Sequence, residues 1–153
     1  MSDGLVTKDL VQVDLEVAST GELFAHMSHM LQEAGYVKES FGDALALREA
    51  TYPTALPTQP EAMAIPHADA VHILEPFIAP IRLASPIPWH EMGNDDVTHP
   101  VRFVFLLGFT KADGHVKVLQ DLMIASQDPE FFPRLASAGS AEEYFSAVQS
   151  IQG

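Results

Sequence analysis

Residues 101–109 read Val-Arg-Phe-Val-Phe-Leu-Leu-Gly-Phe, an almost wholly apolar run with no alternation. A strand with one wet face alternates apolar and polar residues, whereas one covered on both faces does not need to. This segment therefore predicts a central strand buried on both sides, and the rest of the chain must supply a layer above and a layer below it. A second apolar stretch, Met63-Ala64-Ile65, reads as the end of another buried strand. Pro66 has no backbone N–H and a fixed φ, so that strand stops there. His67 follows at once and is delivered by a stiff backbone to the rim of the sheet, where α/β proteins usually meet their ligands.

The helical layers are legible around these strands. Residues 10–15 alternate, with Val11, Val13 and Leu15 on one side, as in a half-buried strand. Ser19 and Glu22 have capping-box spacing, and Leu23, Met27, Met30, Leu31 and Ala34 line one face of a helix that Gly35 ends. Ser40 opens a shorter helix carrying Phe41, Ala44, Leu45 and Leu47, with Arg48 and Glu49 in its last turn. Pro53, Pro57 and Pro60 make residues 52–60 a rigid loop. A strand is expected over residues 77–83, with Pro80 pointing to an edge or a bulge. Residues 85–100 carry Pro86, Pro88, Gly93 and Asn94 and read as a long loop. Asp113-Gly114-His115 opens a helix with Val116, Leu119, Leu122 and Met123 inward. Asp128-Pro129 starts a short helix through Leu135. Ser140 and Glu143 form a second capping box, ahead of a face of Tyr144, Phe145, Val148 and Ile151. Strands alternate with helices, so the expectation is α/β: a single layered domain over residues 1–153, its core about 10–152, with a mixed β-sheet flanked by helices.

Charge and composition narrow the partners. A formal net charge of −13 disfavours nucleic acid and anionic lipid and favours a partner with a basic face. The absence of cysteine excludes disulfides and thiolate metal sites and points to the cytoplasm. No apolar run approaches the roughly 18 residues needed to span a bilayer. Met1-Ser2-Asp3-Gly4 opens no basic region followed by an apolar stretch, so a secretory leader is not expected.

Seven histidines raise the question of metal. His26 and His29 lie three apart on the first helix without a third ligand, and His90 and His99 are expected in the polar loop facing water. His67, Asp69 and His72 could be drawn as a metal cluster but lack a recognisable zinc spacing, so no metal or other cofactor is expected. His67 and His115 stand out because both fall at strand-to-helix junctions. With Arg48 arriving from the end of a preceding helix, they suggest a site for a small dianion such as a phosphoryl group. Imidazole suits covalent phosphoryl transfer, being largely unprotonated and nucleophilic near neutral pH. From spacing alone, Arg48 as a surface ion-pair partner and His115 as a capping residue are the favoured reading.

Three motifs in order then add a resemblance. Ala46-Leu47-Arg48-Glu49, Ala64-Ile65-Pro66-His67 and Gly114-His115-Val116-x-Val118-Leu119 resemble those of the enzyme IIA components of the sugar phosphotransferase system (PTS), fructose–mannitol class. Gly35-Tyr36-Val37 stands where that family turns between its first two helices. Pro86-Ile87-Pro88-Trp89-His90 and Val104-Phe105-Leu106-Leu107-Gly108 are most similar to the galactitol-type group. The resemblance implies a phosphotransferase whose His67 accepts a phosphoryl group from the carrier protein HPr and passes it to a cysteine of a IIB component. It implies that His115 hydrogen-bonds the group, that Arg48 neutralises it, and that no metal is needed. Asp69 departs from the commonest family form and is expected to face solvent or to hold the imidazole tautomer. The nitrogen-regulatory paralogues, which act by binding proteins, offer a second reading, and a metal-dependent hydrolase a distant third.

Overall fold

The computed structural model describes residues 5–151; Met1–Gly4, the segment tested for a leader, and residues 152–153 lie outside the described residues. In chain order the strands are β1 (Gln12–Leu15), β2 (Ala55–Leu56), β3 (Ala62–Ala64), β4 (Phe77–Glu91) and β5 (Asn94–Gly108). The α-helices are α1 (Thr20–Glu33), α2 (Phe41–Thr51), α3 (Gly114–Ala125), α4 (Phe131–Ser137) and α5 (Ala141–Gln149). The sheet is mixed: β4 runs parallel to β1 and antiparallel to β5, β5 parallel to β3, and β3 antiparallel to β2.

The inner half of β5, residues 101–108, is the buried centre that its composition predicts. Val104 and Leu106 pack into a core with Leu23, Met27 and Leu31 of α1 and Phe41 and Leu45 of α2. Phe103, Phe105 and Leu107 face a second core with Val118 and Leu122 of α3, Phe131 and Leu135 of α4, and Tyr144 and Val148 of α5. The sheet is therefore a wall between two separate apolar layers. Both capping boxes form as read: the amides of Glu22 and Glu143 donate to the hydroxyls of Ser19 and Ser140.

Several local readings change. Residues 85–100 are not a loop but the outer half of a long hairpin, in which Met92 and Gly93 connect β4 to β5 and Gly93 takes a φ of +78°. Ile87 and Trp89 turn inward, and Pro88 faces Pro100 across the ladder, so their missing donors share one position instead of interrupting two. Pro80 lies in an internal stretch of β4, not at an edge. The amide of Ile78 donates to Leu5, and alternation points position 80 the same way, where the chain has left the sheet as a 3-10 turn at Lys8–Leu10. Val13 and Leu15 do not share a face: Asp14, at φ +57°, forms a bulge that sends Val13 to one core and Leu15 to the other.

Helix phases shift as well. In α2 Leu47 is 71% exposed, although Phe41 and Leu45 are buried. In α3 the inward residues are Val118 and Leu122, with Leu119 partly buried, while Val116 and Met123 face out. Asp128 and Pro129 precede α4 instead of starting it, because the Asp128 side chain and carbonyl accept from the amides of Glu130 and Phe131 in a turn.

Arg82, in β4, is the polar tie between the sheet and the C-terminal helices. It is 5% exposed and donates to the carbonyls of Leu135, Ala136 and Ala138 at 2.8, 3.2 and 2.7 Å, and to Asp14 at 3.2 Å. Its guanidinium also lies 5.6 Å from the centre of the buried Tyr144 ring. Replacing Arg82 by Met leaves those carbonyls without a donor, and urea unfolding at pH 7 is expected to show a loss of about 3 kcal/mol.

Candidate functional site

β3 ends at Ala64, yet the chain stays fastened to β5 for three more residues: the amide of Leu107 donates to the Pro66 carbonyl at 3.0 Å, and His67 bridges Leu107 in parallel register. Proline thus ends the strand without freeing the segment, and His67 is held at the sheet rim with only 9% of its surface exposed. Its Nδ1 lies 2.8 Å from the Ile65 carbonyl. A carbonyl only accepts, so Nδ1 carries the proton and Nε2 keeps its lone pair. That Nε2 is buried and has no hydrogen-bond partner. The acceptor that selects the tautomer is Ile65, not Asp69, whose side chain is 75% exposed as the other expectation had it.

A second imidazole closes one side. α3 begins at Gly114, where a Cβ would come within 2.5 Å of the Phe109 ring, so only glycine allows the helix to start this close to the end of β5. His115, the next residue, lies against His67 with ring centroids 4.4 Å apart and planes 20° from parallel. From the other side α2 brings Arg48 in its last turn. One terminal nitrogen of Arg48 donates to Asp69 at 3.2 Å, its face lies 5.7 Å from the Tyr52 ring centre, and its Nε is buried without a partner. Arg48, His67, Asp69, Phe109, Lys111 and His115 line a pocket of about 110 Å³.

The electrostatics follow from burial. Desolvation pushes His67 down to about 4, reinforced by His115 and Arg48 and only partly opposed by the bond to Ile65. His115 is also held below its ordinary value, first by burial and then by Arg48. At neutral pH both rings are uncharged, and the pocket offers a lone pair at His67 beside guanidinium donors. Such a pocket can bind a small anion and present it to a nucleophilic nitrogen.

The other histidines lie elsewhere. His29 pairs with Glu33 on α1, and His72 shares a 2.7 Å bond with Ser40. His90 and His99 are strand residues, and His99 is half-buried against Glu91 at 2.8 Å, not free in water. Among the described residues no group of three or more His, Cys, Asp or Glu side chains is placed to hold a metal ion. Sequence reasoning missed Lys111, which the turn after β5 sets on the pocket rim; its place between a strand end and the histidine-bearing helix was the available signal. Glu49, named from the sequence only as the neighbour of Arg48, accepts from the amide and hydroxyl of Thr54 and from Trp89 Nε1, tying the end of α2 to β4 and to the segment before β2.

An α/β sheet that mounts a tautomer-locked histidine between a second imidazole and an arginine has the form of a phosphohistidine carrier. Residues 4–151 match the family described as phosphoenolpyruvate-dependent sugar phosphotransferase system, EIIA 2, and the chain belongs to that family, whose members are phosphotransferases carrying a phosphohistidine. It is 25% identical over 142 residues to the galactitol-specific EIIA component of the PTS of Escherichia coli K12, covering 92% of this chain and 94% of that one. Its fold matches the E. coli enzyme IIAMTL in a complex with phosphorylated enzyme IIBMTL at a TM-score of 0.74, with 20% identity and 95% and 99% of the two chains covered. Nitrogen regulatory protein IIA-Ntr of Neisseria meningitidis matches at 0.68, with 22% identity and 94% and 96% covered. No helix of the described residues is long and apolar enough to cross a membrane.

A buried neutral histidine has a thermodynamic signature. Between pH 6.5 and about 4 the unfolded chain binds a proton at His67 that the folded chain does not, so stability falls as pH falls through this window. The loss from this residue between pH 6.5 and 5 is about 2 kcal/mol. Urea unfolding at pH 7 and pH 5 should show His67→Gln losing about that much less than wild type over the same interval.

Proposed function

We propose that His67 accepts a phosphoryl group on Nε2 from HPr and passes it to a cysteine of a IIB component, serving uptake of a polyol such as galactitol from the cytoplasmic side. The observation that carries this reading is the buried, unpartnered Nε2, paired with an Nδ1 already committed to Ile65. An in-line attack needs a lone pair aimed into the pocket and no proton to remove first. As the new P–N bond forms, the donor's P–N bond breaks, and the proton stays on Nδ1, donated to the Ile65 carbonyl, whose dipole offsets the positive charge gained by the ring. Arg48 supplies planar donors to the phosphoryl oxygens, and His115, neutral and stacked on the acceptor ring, offers one N–H without adding charge. No step in this sequence calls for a metal.

The galactitol side rests on the similarity to the galactitol-specific relative over nearly the full length of both chains. The likeness to nitrogen regulatory protein IIA-Ntr supports the alternative that phosphorylation controls protein binding, and transfer to a IIB cysteine separates the two.

Phosphoenolpyruvate, enzyme I and HPr should add one acid-labile, base-stable phosphoryl group, absent from His67→Ala; full labelling of that variant would remove His67 from the role. In single-turnover assays Arg48→Ala should slow both acceptance and onward transfer by roughly 100-fold. His115→Ala should accept nearly normally and transfer poorly to IIB. Wild-type rates for Arg48→Ala in both directions would make it a bystander.

A further inference from the structure

We infer that Asp69 is a positioning residue: it occupies Arg48 while the site is empty, gives it up when His67 carries a phosphoryl group, and takes it back as the group leaves. This rests on the phosphohistidine reading above and extends it to a residue that reading leaves unused.

The geometry is that of a stand-in anion. Asp69 lies two residues past His67, on the same pocket rim, and offers one carboxylate oxygen to one terminal nitrogen of Arg48 at 3.2 Å. The contact is single and its acid is 75% exposed, whereas Arg48 is only 31% exposed and keeps a buried, unpartnered Nε. A guanidinium donates best through two parallel bonds, and here at least one of its donors is idle. An exposed ion pair of this kind is weak. A phosphoryl group on Nε2 would bring close to two negative charges and three acceptor oxygens into the same pocket, enough to draw Arg48 off Asp69.

The exchange has a functional consequence. If Arg48 were free in the empty site, every favourable contact with the phosphoryl group would stabilise the phosphoprotein and oppose release. Because Asp69 competes for the same donor, part of that stabilisation is cancelled, and the group is held less tightly. A carrier must both gain and lose its cargo, so a built-in competitor moves the balance towards release. The effect to be expected from removing a single exposed competitor is about fivefold.

The test needs no protein partner. Wild type, Asp69→Asn, Arg48→Ala and the double variant are loaded on His67 with phosphoramidate, whose P–N bond breaks to release ammonia. The 31P signal of each phosphohistidine is then followed across pH. A tighter hold by Arg48 favours the phosphoryl dianion, so Asp69→Asn should lower the proton affinity of the group about fivefold relative to wild type. In the Arg48→Ala background the same substitution should change it less than twofold. Equal proton affinities in wild type and Asp69→Asn would overturn the inference, and so would a fivefold change that persists without Arg48, since Asp69 would then act on the phosphoryl group directly. A wild-type protein that takes no phosphoryl group on His67 would overturn the function proposed above and this inference with it.

Discussion

The bond from Nδ1 of His67 to the carbonyl of Ile65, 2.8 Å long, is the contact on which the site depends. It spans only two residues, so it depends on the backbone conformation between them. Pro66 fixes its own φ between them, and the bond from Leu107 to the Pro66 carbonyl holds the segment to the buried half of β5. A short-range bond is thereby anchored to the two-sided core, and imidazole orientation becomes a property of the fold. The cost of burying the ring uncharged is met by this one hydrogen bond at Nδ1, which leaves Nε2 as the exception: a buried nitrogen with nothing to bind.

The two apolar layers explain why the other site residues arrive from opposite sides. α1 and α2 cover one face of the sheet, and α2 ends where Arg48 reaches over the rim. α3, α4 and α5 cover the other face, and α3 begins at the same rim with Gly114 and His115. His67 sits at the boundary between the layers because it is carried by the sheet itself. Arg82 and Glu49, both tied by several bonds, hold helical elements to strands on the two sides. The pocket is therefore assembled from three separately anchored pieces.

Much of this was legible in the chain. The run through residues 103–107, the Ile-Pro-His mounting and the glycine before His115 each carry a local physical meaning that survives in three dimensions. The outer half of the β4–β5 hairpin was not legible, because Pro86, Pro88, Gly93 and Pro100 are loop residues in most contexts. Their harmless placement here depends on register, which no single segment reveals. The inward alternation of Ile87 and Trp89 was the outweighed clue. The bulge at Asp14 escaped for a similar reason: positive φ at a non-glycine residue is set by what the strand must meet on either side, in this case Arg82. Arg48, His67 and His115 meet in one pocket, but the bonds they make there were not legible. The choice of Ile65 as acceptor, the stacking of His115 on His67 and the pairing of Arg48 with Asp69 across 21 positions arise only when separate elements close on each other.

The central claim is that the fold presents His67 as a neutral ring with its proton on Nδ1 and a bare Nε2. Correlation of the imidazole 15N and ring-proton signals at pH 7 tests this directly, before any phosphoryl transfer is attempted. The account predicts a protonated Nδ1 and an unprotonated Nε2 for His67, and on phosphorylation a coupling from 31P to Nε2 alone. A His67 ring carrying its proton on Nε2, or charged at pH 7, would contradict it.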